Sequence, residues 1–333
     1  HTTDLIANDG GRLRGPGNLT VASSHVFNNA TQAGTGRTIL QGTGTISSTL
    51  NLDDDRVIEN QDTTVWSGGN IEFNRLDGTG GAGTIQNNAD AVFIATGNNT
   101  MRNYLTGTAG LFDNQGVFRK SGGTGTTTVS NTLNNSGTVE VQTGRVEVRS
   151  AFTNNGEILI ASGAAFSGTD STFINDGTIA GSGRLETHAN GDIENNGTIA
   201  PGASGIGILT VDADLRLQSA SLLEFELASL GSFDQMLLTG DILVGGGLSI
   251  QSLAGYVPQI GDSFVIATFN SSIGNQAFSS VNWSGFGTGI GFNVTYNADN
   301  IMIGAVAAVP EPSEYLMMMA GLGLLGVMVR RRR

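Results

Sequence analysis

Cysteine is absent from the 333-residue sequence, and lysine occurs once, at Lys120. The absence of cysteine excludes a thiol nucleophile, a cysteine-ligated zinc site and a disulfide framework. It is compatible with an exported protein that is stabilised without disulfides. The sequence starts at His1 with no signal-peptide pattern, which indicates either a processed protein or a fragment.

Basic residues are scarce outside the last four positions. Residues 1–309 hold 12 basic and 27 acidic groups, which gives a net charge of −15. Nucleic-acid binding requires clustered Arg or Lys, and adsorption on anionic lipid requires a basic surface. The composition therefore argues against both kinds of partner.

Familiar catalytic and cofactor motifs are missing as well. Neither GxxxxGK[ST] nor HExxH occurs, and the GxGxxG-like strings at 42–47 and 287–292 precede no helical pattern. We expect no cofactor and no enzymatic activity. The open alternative is a polysaccharide hydrolase or lyase, for which outward acids such as Glu140, Glu147 and Glu157 would supply a carboxylate pair. A lyase needs basic side chains as a catalytic base and to neutralise charge, and one lysine in the whole sequence provides few of them.

Glycine is abundant, with 50 residues, and it accompanies short alternating runs of Val, Ile, Leu and Phe. This alternation predicts a folded, turn-rich β protein and not a disordered chain. The class expected from composition is therefore all-β.

A seven-residue pattern recurs between residues 112 and 199. It reads φ-x-Asn-x-Gly-x-φ, where φ is apolar, and its five copies are FDNQGVF, LNNSGTV, FTNNGEI, FINDGTI and IENNGTI. Successive glycines are 21, 19, 21 and 20 residues apart, and looser copies begin at residues 6, 26, 58 and 85. A period of about 20 residues predicts a parallel β-solenoid (β-helix) of nine coils over residues 1–200, because a propeller blade needs about 40 residues.

The asparagine of each copy shares its parity with two apolar positions, so it faces the core. An isolated buried amide is costly, whereas stacked amides can hydrogen-bond to one another along the axis. The predicted ladder consists of Asn114, Asn135, Asn154, Asn175 and Asn195. The glycines two residues later permit a tight turn, for which a left-handed backbone is one alternative. They are Gly116, Gly137, Gly156, Gly177 and Gly197.

Residues 201–308 lack this pattern but contain strand-length apolar runs separated by Gly or Asn. We predict a β-rich capping domain here, because the last coil of a solenoid has an unpaired edge. It is either stacked on the rod or folded as a separate sandwich.

Two further residue groups are candidate sites. Asp53, Asp54 and Asp55 are consecutive, and consecutive strand residues point to opposite faces. We therefore expect no metal site, with Asp53 and Asp55 as weak candidates for calcium. Trp66, Trp283 and Tyr296 are candidates for stacking on sugar rings, with a core or cap role as the alternative.

The stretches 64–71, 118–148 and 197–211 resemble the Gly/Asn-rich repeats of bacterial autotransporter passengers and other exported β-solenoid proteins. This resemblance implies a parallel β-helix without fixing an activity.

The last 25 residues combine three elements. Pro310, Glu311 and Pro312 come first, an uncharged run follows at 315–329, and the chain ends with Arg330, Arg331, Arg332 and Arg333. As a helix the run would measure about 22 Å, which is short for a membrane span unless the arginines extend it. The positive-inside rule predicts a cytoplasmic C terminus.

This tail, at 309–333, resembles the PEP-CTERM sorting signal of Gram-negative bacteria. The resemblance implies recognition by an exosortase-type protease, cleavage near Pro-Glu-Pro after transient membrane anchoring, and release to the cell surface or extracellular matrix in species that make exopolysaccharide and biofilm. We therefore expect an exported structural or adhesive protein with surface glycans as further partners. A secreted polysaccharide-active enzyme and a glycan-binding module are the alternatives.

Overall fold

The computed structural model describes residues 1–75, 81–169, 172–188, 191–274 and 276–308. The predicted sorting segment, with its Pro-Glu-Pro triplet, apolar run and arginine cluster, lies outside these residues.

The described chain is built from short β-strands, numbered in chain order. The first thirteen are β1 (Thr2–Asn8), β2 (Arg12–Leu13), β3 (Leu19–Asn28), β4 (Ala30–Gln32), β5 (Arg37–Leu40), β6 (Gly44–Ile46), β7 (Leu50–Leu52), β8 (Val57–Asn60), β9 (Thr63–Trp66), β10 (Ile71–Phe73), β11 (Thr84–Asn87), β12 (Val92–Ala95) and β13 (Thr100–Asn103). The next fifteen are β14 (Leu111–Asn114), β15 (Val117–Lys120), β16 (Thr126–Val129), β17 (Thr132–Asn135), β18 (Thr138–Val141), β19 (Arg145–Val148), β20 (Thr153–Asn154), β21 (Glu157–Ile160), β22 (Ala165–Gly168), β23 (Phe173–Asn175), β24 (Thr178–Gly181), β25 (Arg184–Thr187), β26 (Asp192–Asn195), β27 (Thr198–Pro201) and β28 (Ile208–Asp212). The last ten are β29 (Asp214–Leu217), β30 (Leu222–Ser229), β31 (Ser232–Phe233), β32 (Gln235–Leu238), β33 (Ile242–Leu243), β34 (Gly247–Ser252), β35 (Ser263–Thr268), β36 (Ser280–Ser284), β37 (Ile290–Tyr296) and β38 (Asn300–Ala307).

A typical coil contributes three strands, one to each face of the solenoid. In the coil of β17, β18 and β19, each strand pairs in parallel with the equivalent strand of the next coil, β20, β21 and β22. The strands of two faces belong to one 24-stranded sheet, and those of the third face form a 14-stranded sheet. The result is an all-β parallel β-solenoid of about 12 turns with coils of about 21 residues, which confirms the predicted fold class. The nine coils are predicted for residues 1–200 alone, whereas the 12 turns include coils beyond residue 200.

The sequence forms these strands because apolar and polar residues alternate over four positions. In β18 and β21 the second and fourth residues are buried, and Val139, Val141, Ile158 and Ile160 point inward. Aromatic rings fill wider parts of the interior, with Phe93 and Phe112 at 5.3 Å between ring centroids. Each coil therefore buries a small set of side chains against the coils before and after it.

The first two coils differ from the repeat predicted for them. Strand β3 crosses two faces, pairing with β5 near its start and with β6 near its end. The looser copies at residues 6 and 26 place Asn8 opposite Asn28 in the β1–β3 register, where Asn8 is exposed and Asn28 half-buried. These two asparagines therefore do not continue the buried column of the later coils.

Parallel stacking continues past residue 200. Strand β27 pairs with β30, β30 with β34, and β34 with β36, all in parallel. The antiparallel pairs at the C-terminal end join β35 to β38 and β38 to β37. The coils thus extend well into residues 201–308, whose role as a cap stays a prediction.

Candidate functional site

A continuous row of asparagine side chains runs through the core. Each Nδ2 atom donates to the Oδ1 atom of the asparagine in the following coil, at 2.6 to 2.8 Å. The row contains Asn60, Asn87, Asn114, Asn135, Asn154, Asn175 and Asn195. Every member is at most 1% exposed. The structure thus brings all five predicted ladder residues together, with two from the looser copies.

The row is closed at both ends by other hydrogen-bonding groups. At its start, Thr64 Oγ1 donates to Asn60 Oδ1 at 2.8 Å, and His25 Nε2 lies 3.0 Å from the same hydroxyl. Because Thr64 gives its one proton to Asn60, the imidazole is the donor in the second bond. At its end, Asn195 Nδ2 donates to Gly197 O at 2.8 Å. The buried amides are therefore satisfied from inside the protein.

The repeat glycines lie in a column beside the asparagines, where backbones approach closely. A Cβ atom at Gly156 would lie 2.1 Å from Gly137 O, and one at Gly177 would lie 2.0 Å from Gly156 O. None of the five repeat glycines has a positive φ, so the left-handed alternative is wrong. Glycine is needed here because the carbonyl of the previous coil occupies the space of a side chain.

The only lysine is buried in the core, at 0% exposure. Lys120 Nζ donates to Gly97 O and Gly122 O at 2.9 Å each and to Thr127 Oγ1 at 3.0 Å. Burial lowers the pKa of Lys120. The ammonium group joins the turns of two coils and does not reach the outer surface.

His25 is a second buried titratable group that the sequence did not reveal. Its ring passes over Gly44, where a Cβ atom would lie 2.3 Å from the imidazole Cγ, and so reaches Thr64 one coil further on. Burial lowers the pKa of His25 to about 4. The imidazole is therefore neutral at neutral pH.

Ionisable side chains lie close together on the face of the 14-stranded sheet. Glu147 lies 3.2 Å from Arg149 and 3.3 Å from His188, and Arg145 pairs with Glu186 at 3.0 Å. Burial raises the pKa of Glu186, against the opposing effect of Arg145.

The other two acids considered for a hydrolase lie on another face. Glu140 pairs with Arg119 at 2.5 Å, and Glu157 accepts from Thr138 Oγ1 at 3.2 Å. The structure therefore separates Glu147 from Glu140 and Glu157.

The weak calcium candidates lie at a turn after β7. Asp53 is 2% exposed and accepts a hydrogen bond from the backbone N–H of Arg75, while Asp54 and Asp55 have positive φ values of 56° and 62°. Within the described ranges, no group of three His, Cys, Asp or Glu side chains is arranged to hold a metal ion.

The three aromatic candidates occupy different environments. Trp66 is 0% exposed, and its Nε1 atom donates to Gly69 O at 2.9 Å, so it is a core residue. Trp283 and Tyr296 are 41% and 38% exposed near the C-terminal end of the described chain. Tyr296 borders a cleft of about 610 Å³ that is also lined by Ser271, Ser272 and Asn297.

Among the residues with a described structure, no helix is both long and apolar enough to span a bilayer. The predicted apolar run at 315–329 falls outside those residues.

Comparison with known families gives a match at the C terminus: residues 308–333 match the PEP-CTERM protein-sorting motif. No curated protein matches the chain. The motif implies export, recognition and processing by an exosortase, and transient membrane anchoring at the C terminus. The chain is thus an exported β-solenoid protein that carries a PEP-CTERM protein-sorting motif.

Proposed function

We propose that this protein is a structural or adhesive rod that works at the cell surface or in the extracellular matrix after the sorting segment is removed. The observation that carries this proposal is the continuous asparagine row, which extends through seven coils and satisfies its own amides. Such an interior holds a long, regular shape without a ligand or disulfide. The sorting motif supplies the route outside the cell.

The outer faces support a structural role over a catalytic one. Glu140 and Glu157 share one face in adjacent coils and Glu147 lies on another, and each of the three has an Arg or Thr partner. The body is strongly acidic, so charge repulsion keeps rods soluble and disfavours contact with anionic polymers. We therefore expect the rod to bind neutral surface glycans and uncharged biofilm polysaccharides.

To test this, the protein is expressed with an N-terminal tag in a bacterium that contains an exosortase, and the tagged protein is located by cell fractionation. We expect a surface or medium fraction that lacks the terminal arginines, and a Glu311→Ala variant that stays in the membrane. Limited proteolysis should leave a resistant fragment covering the stacked coils. A mature surface protein that still contains Arg333 would contradict the processing step, and a fragment shorter than the laddered coils would contradict the rod.

A glycan-binding role is the second candidate, and the cleft beside Tyr296 favours it. An exposed aromatic ring with hydroxyl and amide side chains around it suits a neutral sugar. We expect binding on an array of neutral oligosaccharides that falls about tenfold in Tyr296→Ala. Tyr104→Ala, which removes an exposed ring elsewhere on the surface, is the matched control.

A further inference from the structure

Exposed apolar side chains gather where the described chain ends. Ile260, Trp283 and Val306 are 65%, 41% and 37% exposed. Together they are called the exit patch. Large apolar residues exposed in one place usually mark a contact surface.

Backbone pairing places these residues around the end of β38. The N–H of Gly261, next to Ile260, donates to Ala305 O at 2.8 Å, and the N–H of Ala308 donates to Gly289 O at 3.1 Å. A methyl group placed at Gly291 would lie 3.4 Å from Trp283 Cζ2, 3.6 Å from Ala308 Cα and 3.7 Å from Val306 Cγ2. Trp283 and Val306 therefore meet at the point from which the sorting segment continues.

The length of chain that follows limits how far this surface can be from a membrane. Six residues lie between Ala308 and Tyr315, the first residue of the uncharged run, so seven Cα–Cα steps join the two. Fully extended, they span at most about 25 Å. While the C terminus is anchored, Ala308, beside Trp283 and Val306, therefore stays within this distance of the bilayer, whichever way the body tilts.

We propose that the exit patch rests on the lipid surface while the C terminus is anchored, and so holds the rod upright over the membrane until processing. Tryptophan is favoured at the membrane interface, and aliphatic side chains add apolar area there. The acidic body disfavours a broad electrostatic contact with anionic lipid, so the contact is apolar and small. The proposal rests on the anchoring that the sorting motif implies, and not on the adhesive role.

The test uses tryptophan fluorescence of the full chain reconstituted in phosphatidylcholine vesicles with brominated acyl chains, which quench nearby indoles. The chain has two tryptophans, and Trp66 is buried in the core. A Trp283→Phe variant reports the emission of Trp66 alone, which is subtracted. We expect the Trp283 emission to fall about twofold relative to unbrominated vesicles, because the ring lies at the interface.

Variants of the exit patch distinguish a lipid contact from a contact with another protein. The double change Ile260→Ser with Val306→Ser should restore most of the Trp283 emission, and Ile6→Ser, equally exposed at the other end of the rod, should not. Equal emission in brominated and plain vesicles overturns the proposal. Quenching that appears only when exosortase is added also overturns it, because the patch then binds the enzyme. Export and cleavage are measured independently by the fractionation above.

Discussion

The laddered coils and the coils on either side of them stack in the same way but fill one core position differently. From Asn60 to Asn195 this position is an amide in every coil. In register, Leu40 occupies it in the coil before and Leu217 in the coil after. Both leucines are at most 2% exposed. Parallel stacking therefore accepts either an amide or a leucine at this core position.

The change from amide to leucine occurs where the amide row has another acceptor or donor. Gly197 O accepts from the last asparagine, and the Thr64 hydroxyl donates to the first. A buried row that ended without such partners would leave unsatisfied polar groups. The two kinds of coil can therefore adjoin at little cost.

The largest effect is expected from breaking the row at its centre. In Asn154→Leu, Asn135 Nδ2 loses its side-chain acceptor and Asn175 Oδ1 loses its donor, both in the core, although Asn135 Nδ2 still donates to a backbone carbonyl. We expect a loss of about 4 kcal/mol in the free energy of unfolding, measured by urea denaturation. The exposed neighbour Asn134→Leu is the control. Equal losses of unfolding free energy in the two variants would show that the amide row does not stabilise these coils.

The glycine column is the next most sensitive feature. In Gly156→Ala the new methyl group meets Gly137 O, so the coils must separate locally. We expect a destabilisation of about 3 kcal/mol by the same measurement. Gly205→Ala adds a methyl group in open space, and its stability should be nearly unchanged.

Acid should weaken the N-terminal coils through His25. The folded state holds the pKa of His25 at about 4, whereas the unfolded chain binds the proton near pH 6.5. The stability that His25 contributes is therefore complete above pH 6.5 and is lost as the pH falls towards 4, by as much as about 3 kcal/mol. Urea midpoints of the His25→Phe variant should lack this decline between pH 6.5 and 4. An unchanged pH profile would exclude His25 as its source.

The C-terminal coils should respond to pH with the opposite sign. Burial raises the pKa of Asp234 to about 7, although the N–H groups of Glu226 and Gly207 donate to its carboxylate. Its contribution is therefore complete below about pH 4 and is lost as the pH rises through 7. Asp234→Asn should flatten this part of the profile, seen by hydrogen exchange of β30 and β32. A steeper loss of stability with rising pH in Asp234→Asn would show that Asp234 is not the source of this loss.

The smallest effect is expected from lengthening the amide row. In Leu217→Asn, the new Oδ1 can accept from Asn195 Nδ2, so only part of the buried amide lacks a partner. We expect a loss of about 1 kcal/mol. Leu223→Asn, buried on the neighbouring face, has no amide beside it and should lose about 3 kcal/mol. Equal losses of unfolding free energy in the two variants would show that an asparagine is not stabilised by lying next to the row.

The repeat is visible in the sequence because one asparagine and one glycine recur at fixed offsets. These residues mark the coils in which both columns are present. Where Leu217 and Ser221 replace them, the same coil geometry leaves no pattern, and so the boundary predicted at residue 200 lies inside the stack. The fold class, the asparagine row of these coils and the sorting motif follow directly from local sequence.

The buried titratable side chains Lys120 and His25 could not be found in this way. Lys120 and His25 depend on groups 2 to 39 residues away, and on a glycine that leaves room for the imidazole. Alternation in β15 does place Lys120 on the inward side, which is the one signal that the sequence offers. Partners in other coils decide whether such an inward charge can be accommodated.

The amide row also gives the rod a modular length. Every asparagine donates to the coil that follows, so each coil presents the same acceptor behind it and the same donor ahead of it. Deleting the 21 residues from Asn154 to the residue before Asn175 would rejoin Asn135 to an identical partner. Whole coils can therefore be gained or lost by duplication or deletion at nearly constant energy per coil, while a change of a few residues would break the register.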